Sequence, residues 1–425
     1  MRALRPLRRS AYRRLATALA LSVLAEGLWT LAVVWQVIEL GGGPAELSIV
    51  SGALALGVVV TALLGGVLAD RVPQKRILVG VMAVLAASIG LVAGLSALGA
   101  LSVPLLVVVG GVIGLSMGMF FPAYSALVPA MVDADELLAV NGLEGVVRPV
   151  LLQGLGPALA GALVAAYSPA AALAATAVAC LAGLVAALSL PRRALRRDLG
   201  TSGGAGAVVR DLVEGFRYMV GTRWLLVTLV FASLMILVVL GPLEVLVPFA
   251  IIERADGGPG GHSLVLLAHG AGGAIASILV ASLRLPRRYL TVMIVMWSAA
   301  CVPMVVFGLA TTLWPMVLAG FVVGGLFSAP QVIWGTLLQR RVPPALLGRV
   351  TSLDFFVSLA FMPVSMALAG PVSEVVGLTP VFLAAGLVPL AIGAVALVLG
   401  RLGPDEIAHP LDVADPGAAA TPSAA

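Results

Sequence analysis

The sequence predicts an all-α membrane protein of twelve transmembrane helices in two six-helix pseudo-repeats. Three observations predict it. Of 425 residues, 61% are hydrophobic and only 11% are charged, against roughly 25% charged in soluble globular chains. The apolar residues form runs of about 20, the length that crosses a hydrocarbon core about 30 Å thick as a helix. The second half also repeats features of the first. Within hydrocarbon a segment must satisfy its own backbone hydrogen bonds, which selects helices. The ten-residue alternation of an outer-membrane barrel is absent.

Taken in order, the runs are expected at residues 14–39, 47–69, 76–98, 103–128, 142–166 and 169–190, then at 223–251, 263–284, 288–310, 314–338, 352–374 and 379–400. The first follows six arginines and imitates a secretion signal. It continues through Trp29 and Trp35 to Ile38, too long for a signal's apolar region, so it is read as a retained span. Glycine and proline are abundant, at 49 and 27 residues, and both are tolerated in membrane helices. Cys180 and Cys301 fall within spans and suit small apolar fillers; neither metal nor cofactor is expected.

The cations orient the chain. On this map, 23 of the 25 lysines and arginines lie in segments facing one side, Arg254 lies opposite, and Arg148 is inside a span. The positive-inside rule then places both termini in the cytoplasm of a multi-pass inner or plasma membrane protein. The sequence pI near 9.8 follows from this topology, so no nucleic-acid partner is needed to explain it. Residues 1–190 are read as one six-helix bundle and 223–400 as another. Between them, 191–222 is a cytoplasmic linker whose "VVRDLVEGFRYMV" suits a helix on the membrane surface. The tail, 401–425, lacks the apolar content to pack and is expected to be disordered.

The halves repeat at an offset of about 210 residues. Segment 120–145 loosely matches 327–355, and the helix that follows ends "ALAG" in both copies, at 158–161 and 367–370. "ADRVPQKRIL" (69–78) aligns with "ASLRLPRRYL" (281–290), the second copy having lost the acid. Duplicated six-helix halves mark transporters, with the site near mid-membrane between them.

The motifs carry a resemblance. "GGVLADRVPQKR" (65–76) looks like the G-x-x-x-D-R-x-G-R-[KR] loop of the major facilitator superfamily, with Pro73 at or near the place of its second glycine. "GPALAG" (156–161), with Gly156, Pro157 and Gly161, resembles part of that superfamily's antiporter motif in the fifth helix. "DLVEGFRYM", "GPLEVLVP" and "LLGRVTS" resemble the branch of macrolide, tetracycline and multidrug proton antiporters and enterobactin exporters. The resemblance covers about residues 10–400. It implies a twelve-helix proton-coupled exporter. It also implies a cytoplasmic gate in which Gly66, Asp70, Arg71, Lys75 and Arg76 pack against the start of the eleventh helix, with Asp354 as ionic partner.

Ionisable groups inside a membrane cost about 2.5–3.5 kcal/mol each on insertion scales, so each needs a reason. Glu26 lies midway along the first helix, with Trp29 on its face. Burial favours a neutral carboxyl, which suits a proton carrier; the alternative is a hydrogen-bonded Glu that only packs helices. Glu244, between Pro242 and Pro248 in the seventh helix, has the same two readings, in a helix expected to be broken there. Glu144 and Arg148 are spaced for an i,i+4 ion pair, or Arg148 faces the cavity and modulates Glu26. Asp354 is either a helix N-terminal acid favoured by the dipole or the gate acid. Trp29, Trp35, Phe120, Phe121, Tyr124, Trp334, Phe355 and Phe356 are candidate cavity aromatics, against placement facing lipid. Gln153 is a further cavity candidate, and His269 suits a structural role. No Walker loop, zinc spacing or nucleophile elbow appears, so no enzymatic activity is expected. The expected function is export of an amphipathic or hydrophobic small molecule in exchange for protons, by a monomer in the lipid bilayer. An uptake symporter or lipid transporter of the same fold is the alternative, and a non-transporting sensor or scaffold a remoter one.

Overall fold

The computed structural model describes residues 2–133, 136–191, 205–283 and 285–410; the side chains of residues 62–71 and of scattered positions elsewhere lie outside that description. Among the described residues every regular element is helical. Twelve helices are long and apolar enough to cross a membrane. They are α1 (Ser10–Glu39), α2 (Pro44–Thr61), α3 (Gln74–Ala97), α4 (Val103–Val128), α5 (Leu143–Ala166) and α6 (Pro169–Leu188). The second set is α7 (Arg223–Ala255), α8 (Pro259–Val280), α9 (Tyr289–Leu309), α10 (Leu313–Arg341), α11 (Arg349–Val376) and α12 (Leu378–Gly400). Each overlaps one expected run. Some ends extend further than hydropathy marks, because Arg254 and Arg341 join the last helical turns, where cations complement the helix dipole.

Short turns make successive spans antiparallel. The start of α1, the helix at Ala205–Gly221 and the described residues after α12 lie at one end of the bundle, here the terminal side; the opposite end is the loop side. One continuous apolar cluster joins the two halves on the loop side, with Val34 and Val37 of α1 packed in the same body as Val247 and Ile251 of α7, Phe307 of α9 and Phe382 of α12. Towards the terminal side the second half has its own cluster, around Trp224, Phe231, Tyr289, Trp297 and Trp334. Among the described residues, the buried apolar cluster shared by the two halves lies towards the loop side.

Prolines shape four spans. Pro149 and Pro157 bracket a π turn at Val150–Leu155 in α5, and Pro242 opens another at Pro242–Leu246 in α7, ahead of Pro248. A proline removes one ladder N–H and crowds the carbonyl four residues earlier, and a widened turn accommodates both. The break expected between Pro242 and Pro248 thus takes the form of a π turn, and the helix runs on. α11 is interrupted at Ala360–Phe361 before Pro363, and α9 at Val302–Pro303. The α5 and α11 irregularities are about 210 residues apart, at equivalent places in the repeat.

The linker helix, Ala205–Gly221, packs against the start of α11: Glu214 pairs with Arg349 at 2.6 Å, and a Cβ on Gly215 would lie 2.9 Å from Leu353 Cδ1. Val213, Phe216 and Val220 are exposed along one stripe. The disorder expected from residue 401 onward does not hold at its start. Leu402–Ala408 form a tail helix, and residues 411–425 lie outside the described residues. Its anchor is long-range: the fully buried Glu406 accepts from the Leu290 and Thr291 N–H groups at 2.8 and 3.1 Å and from the Thr291 hydroxyl at 2.6 Å. Those N–H groups open α9, where a carboxylate is favoured by the dipole. Leu402 is buried beside it, and Asp405 pairs with Arg341 at 2.5 Å. Glu406→Ala is expected to lower stability by about 1–3 kcal/mol, the cost of orphaning buried donors. Thermal unfolding in detergent checks this; an unchanged midpoint would show that the tail helix does not contribute.

Candidate functional site

A cavity of about 830 Å³ lies between the halves, lined by α1, α2, α3, α4, α5, α6 and α11. Its walls use Leu19–Trp29 of α1, Ile113–Ser125 of α4 and Thr351–Met362 of α11, the stretches between mid-span and the terminal side. It is mostly apolar, with Trp29, Phe120, Phe121, Phe355, Met117 and Met362 on its surface; among the described residues its lining includes one carboxylate, Glu26, and one guanidinium, Arg148.

The backbone places those two charges. A Cβ on Gly27 would come within 2.7 Å of the Leu151 and Leu152 carbonyl oxygens, and one on Gly156 within 2.8 Å of Gly27 Cα. Only a residue without a side chain lets α1 approach the π turn of α5 so closely. Glu26, next to Gly27, is thereby fixed relative to Arg148 on α5. Arg148 is the charged group whose field acts on Glu26. Its guanidinium lies over the Phe121 ring, 4.3 Å from the centroid, a cation–π contact worth about 0.5–2 kcal/mol depending on desolvation.

Beyond the cavity, on the loop side, two seams close the halves together. Along α2 and α11, the Gly370 N–H donates to Ser48 Oγ at 2.6 Å and the Ala45 N–H to Glu374 Oε1 at 3.2 Å. A Cβ on Gly52 would lie 3.0 Å from the Ala367 Cβ. Along α5 and α8, Ser263 Oγ donates to the carbonyl of Pro157 at 2.9 Å, and Gly161 faces the same Ser263 at a distance that leaves no room for a Cβ. "GPALAG" therefore does two jobs: Gly156 seats α1, while Pro157 and Gly161 seat α8.

A family model described as transmembrane secretion effector matches residues 1–414. The chain belongs to this family, within the major facilitator superfamily. The multidrug efflux pump Tap of Mycobacterium tuberculosis is 28% identical to this chain over 263 residues, 62% of each chain. Tap of Mycolicibacterium fortuitum is 33% identical over 201 residues, 46% of this chain and 47% of that one. The alignments thus span less than two thirds of these relatives. Among solved structures, the nucleoside transporter NupG superposes with a TM-score of 0.70 at 14% identity, covering 93% of this chain and 99% of that one. A peptide transporter POT superposes with a TM-score of 0.66 at 17% identity, covering 93% and 96%. At these identities the superpositions show the shared fold.

Several sequence expectations need correction. Tyr124 is fully buried between Phe120 and Phe121 and donates to Glu144 Oε1 at 2.8 Å, so it does not line the cavity. That bond takes Glu144 away from the i,i+4 pair with Arg148, which faces the cavity instead. Gln153 sits in the α5–α8 seam, where a Cβ on Gly270 would lie 2.7 Å from its own Cβ. Trp334 packs edge-on against Trp224 inside the second half and donates to Asp354 Oδ2 at 3.1 Å. Ser358 also donates to Asp354, at 3.3 Å, so a tryptophan and a serine of its own half engage the presumptive gate acid. Of the gate motif, Lys75 donates to the Leu188 and Leu190 carbonyls beyond α6, and Arg76 is exposed. The side chains of Gly66, Asp70 and Arg71 lie outside the described residues. Glu244 is accessible on its π turn but is not among the residues lining the cavity with Glu26. Gly370 closes the second "ALAG" copy, but Ser48, Ser263 and Glu374, which also make the seams, were not singled out from the sequence; the Ser48–Gly52 spacing, small residues four apart on one helix face, was the available signal.

Gly156→Ala is expected to push α1 off α5 and destabilise the protein by about 1–3 kcal/mol, as overpacking does. Gly145→Ala in the same helix, where a Cβ meets nothing within 4 Å, should leave the thermal midpoint unchanged. Equal midpoints for both variants would remove the close approach as the reason for Gly156.

Proposed function

We propose that this protein is a proton-coupled exporter of amphipathic or hydrophobic small molecules, working by alternating access as a monomer in the inner or plasma membrane. The terminal side is then cytoplasmic, in keeping with the cation distribution. The observation that carries the reading is the cavity itself. It is apolar and aromatic, it extends from mid-span towards the terminal side, it is sealed on the loop side, and it holds one carboxylate. Such a chamber would admit an amphipathic solute from the cytoplasm or the inner leaflet. The likeness to the multidrug efflux pump Tap supports the direction.

In this scheme Glu26 carries the proton. With the loop side open it would take a proton from outside; with the terminal side open, as here, it would release it beside Arg148. A bound solute and a protonated Glu26 would favour opposite conformations, which couples the two flows. Arg148, held over Phe121, supplies a positive charge to the same chamber. Protons and the solute are the only small partners the scheme requires.

The test is pH-gradient-driven extrusion of a lipophilic dye from proteoliposomes. Glu26→Gln is expected to abolish gradient dependence, a loss of tenfold or more, with dye binding retained. Glu244→Gln, outside the cavity lining, should cost less. If both variants extrude dye as the wild type does, the coupling scheme is wrong.

A further inference from the structure

A second cavity, of about 600 Å³, opens on the terminal side of the second half, away from the central one. Four elements build it: the end of the linker helix (Tyr218, Thr222), the start of α7 (Arg223, Trp224), the end of α10 (Arg340, Arg341) and the tail helix with the residues just after it (Asp405, His409). Among the described lining residues are three arginines and one carboxylate. Arg341 is preorganised: its side chain is 8% exposed, it pairs with Asp405, and its guanidinium stands 4.5 Å over the Trp224 ring. A planar cation fixed this way retains donor directions suited to an oxyanion and loses little entropy on binding.

One lining residue reaches the end of α12. Arg223 Nη2 donates to the Leu399 carbonyl at 2.5 Å, at the last turn of α12. There Val395, Val398 and Leu399 are 54%, 73% and 68% exposed. An arginine-bearing cleft thus stands beside an apolar strip at the end of α12, at the depth where headgroups meet acyl chains. We propose that this cavity binds the phosphodiester of an anionic phospholipid, with its acyl chains lying along the outer face of α12. Free phosphate would satisfy the arginines and leave the strip unused. A lipid uses both, and basic pockets between membrane helices at headgroup level are where anionic lipids bind. A lipid seated there bridges linker helix, α7, α10 and tail helix. The proposal does not depend on the transport scheme.

The test uses the full chain, purified and delipidated in a neutral detergent, with lipid binding followed by native mass spectrometry and by thermal unfolding. The probes are dioleoylphosphatidylglycerol, dioleoylphosphatidylcholine, and inorganic phosphate at matched ionic strength. One phosphatidylglycerol is expected to bind saturably, at least tenfold tighter than phosphatidylcholine, and millimolar phosphate should leave the midpoint unmoved. Arg223→Gln with Arg340→Gln should weaken phosphatidylglycerol binding about 25-fold, about fivefold for each charge near the membrane surface, while the two lysine replacements retain most of it. If the double variant does not fold, the exposed Arg340 allows Arg340→Gln alone, with about a fivefold loss expected. Equal affinity for the two lipids in the wild type, or no change in the glutamine variants, overturns the proposal. A phosphate response as large as the lipid's overturns the lipid assignment.

Discussion

Hydrocarbon offers two apolar helix bundles no reason to associate, because lipid tails solvate them as well as they solvate each other. Whatever holds the halves of this protein together has to come from close backbone approach and a few polar contacts. The seams are built that way. Gly52 against Ala367, Gly370 against the backbone of Pro44, and Gly161 against Ser263 bring the backbones together. The bonds from Gly370 to Ser48, Ala45 to Glu374 and Ser263 to Pro157 add direction. At about 0.5–1.5 kcal/mol net for each bond, the polar part of the closure amounts to only a few kcal/mol. Closure of that strength can be reversed by the differential binding of a small ligand. An extensive interlocked interface across the same seams would make the closed state permanent.

The same device fixes the ionisable site. Glu26 cannot be considered apart from Gly27, because the missing side chain at 27 lets α1 reach the π turn of α5. The π turn in turn follows from Pro149 and Pro157. Sequence thus leads to a local helix defect, the defect to a close helix contact, and the contact to the juxtaposition of one acid and one arginine in an apolar chamber. Arg148 lies there with an aromatic face beneath it and Glu26 within its field. Glu144, the acid that spacing alone would pair with it, is held by Tyr124.

Much of this was legible in the sequence. The twelve spans follow from hydropathy, which in a membrane protein reports the environment directly. Glu26 was read as an interior group because ionisable side chains in hydrocarbon are rare; Arg148 was left between a pair with Glu144 and the cavity, and Trp29, Phe121 and Phe355 between the cavity and lipid. Tyr124, Gln153 and Trp334 were misplaced because helix position does not say which way a side chain turns; a partner on another helix decides it. The tail helix was missed for a related reason: its composition is too polar to pack by hydropathy, and its anchor is a carboxylate whose partners lie more than a hundred residues earlier. The seams were missed because glycine and serine carry no hydrophobic or charge signal. Only their spacing does, and it becomes meaningful once the facing helix is known.

The central claim is that the halves rock about the cavity, the loop side opening as the terminal side closes. Distances between paired spin labels test it most directly. Leu98 and Val375 are exposed on the loop side of opposite halves, and Ser189 and Leu283 are exposed on the terminal side. Both native cysteines are buried, so labels at these sites can be selective. As substrate and pH are varied in liposomes, the 98–375 distance should lengthen when the 189–283 distance shortens. Two distances that stay fixed under conditions that support transport would contradict the account.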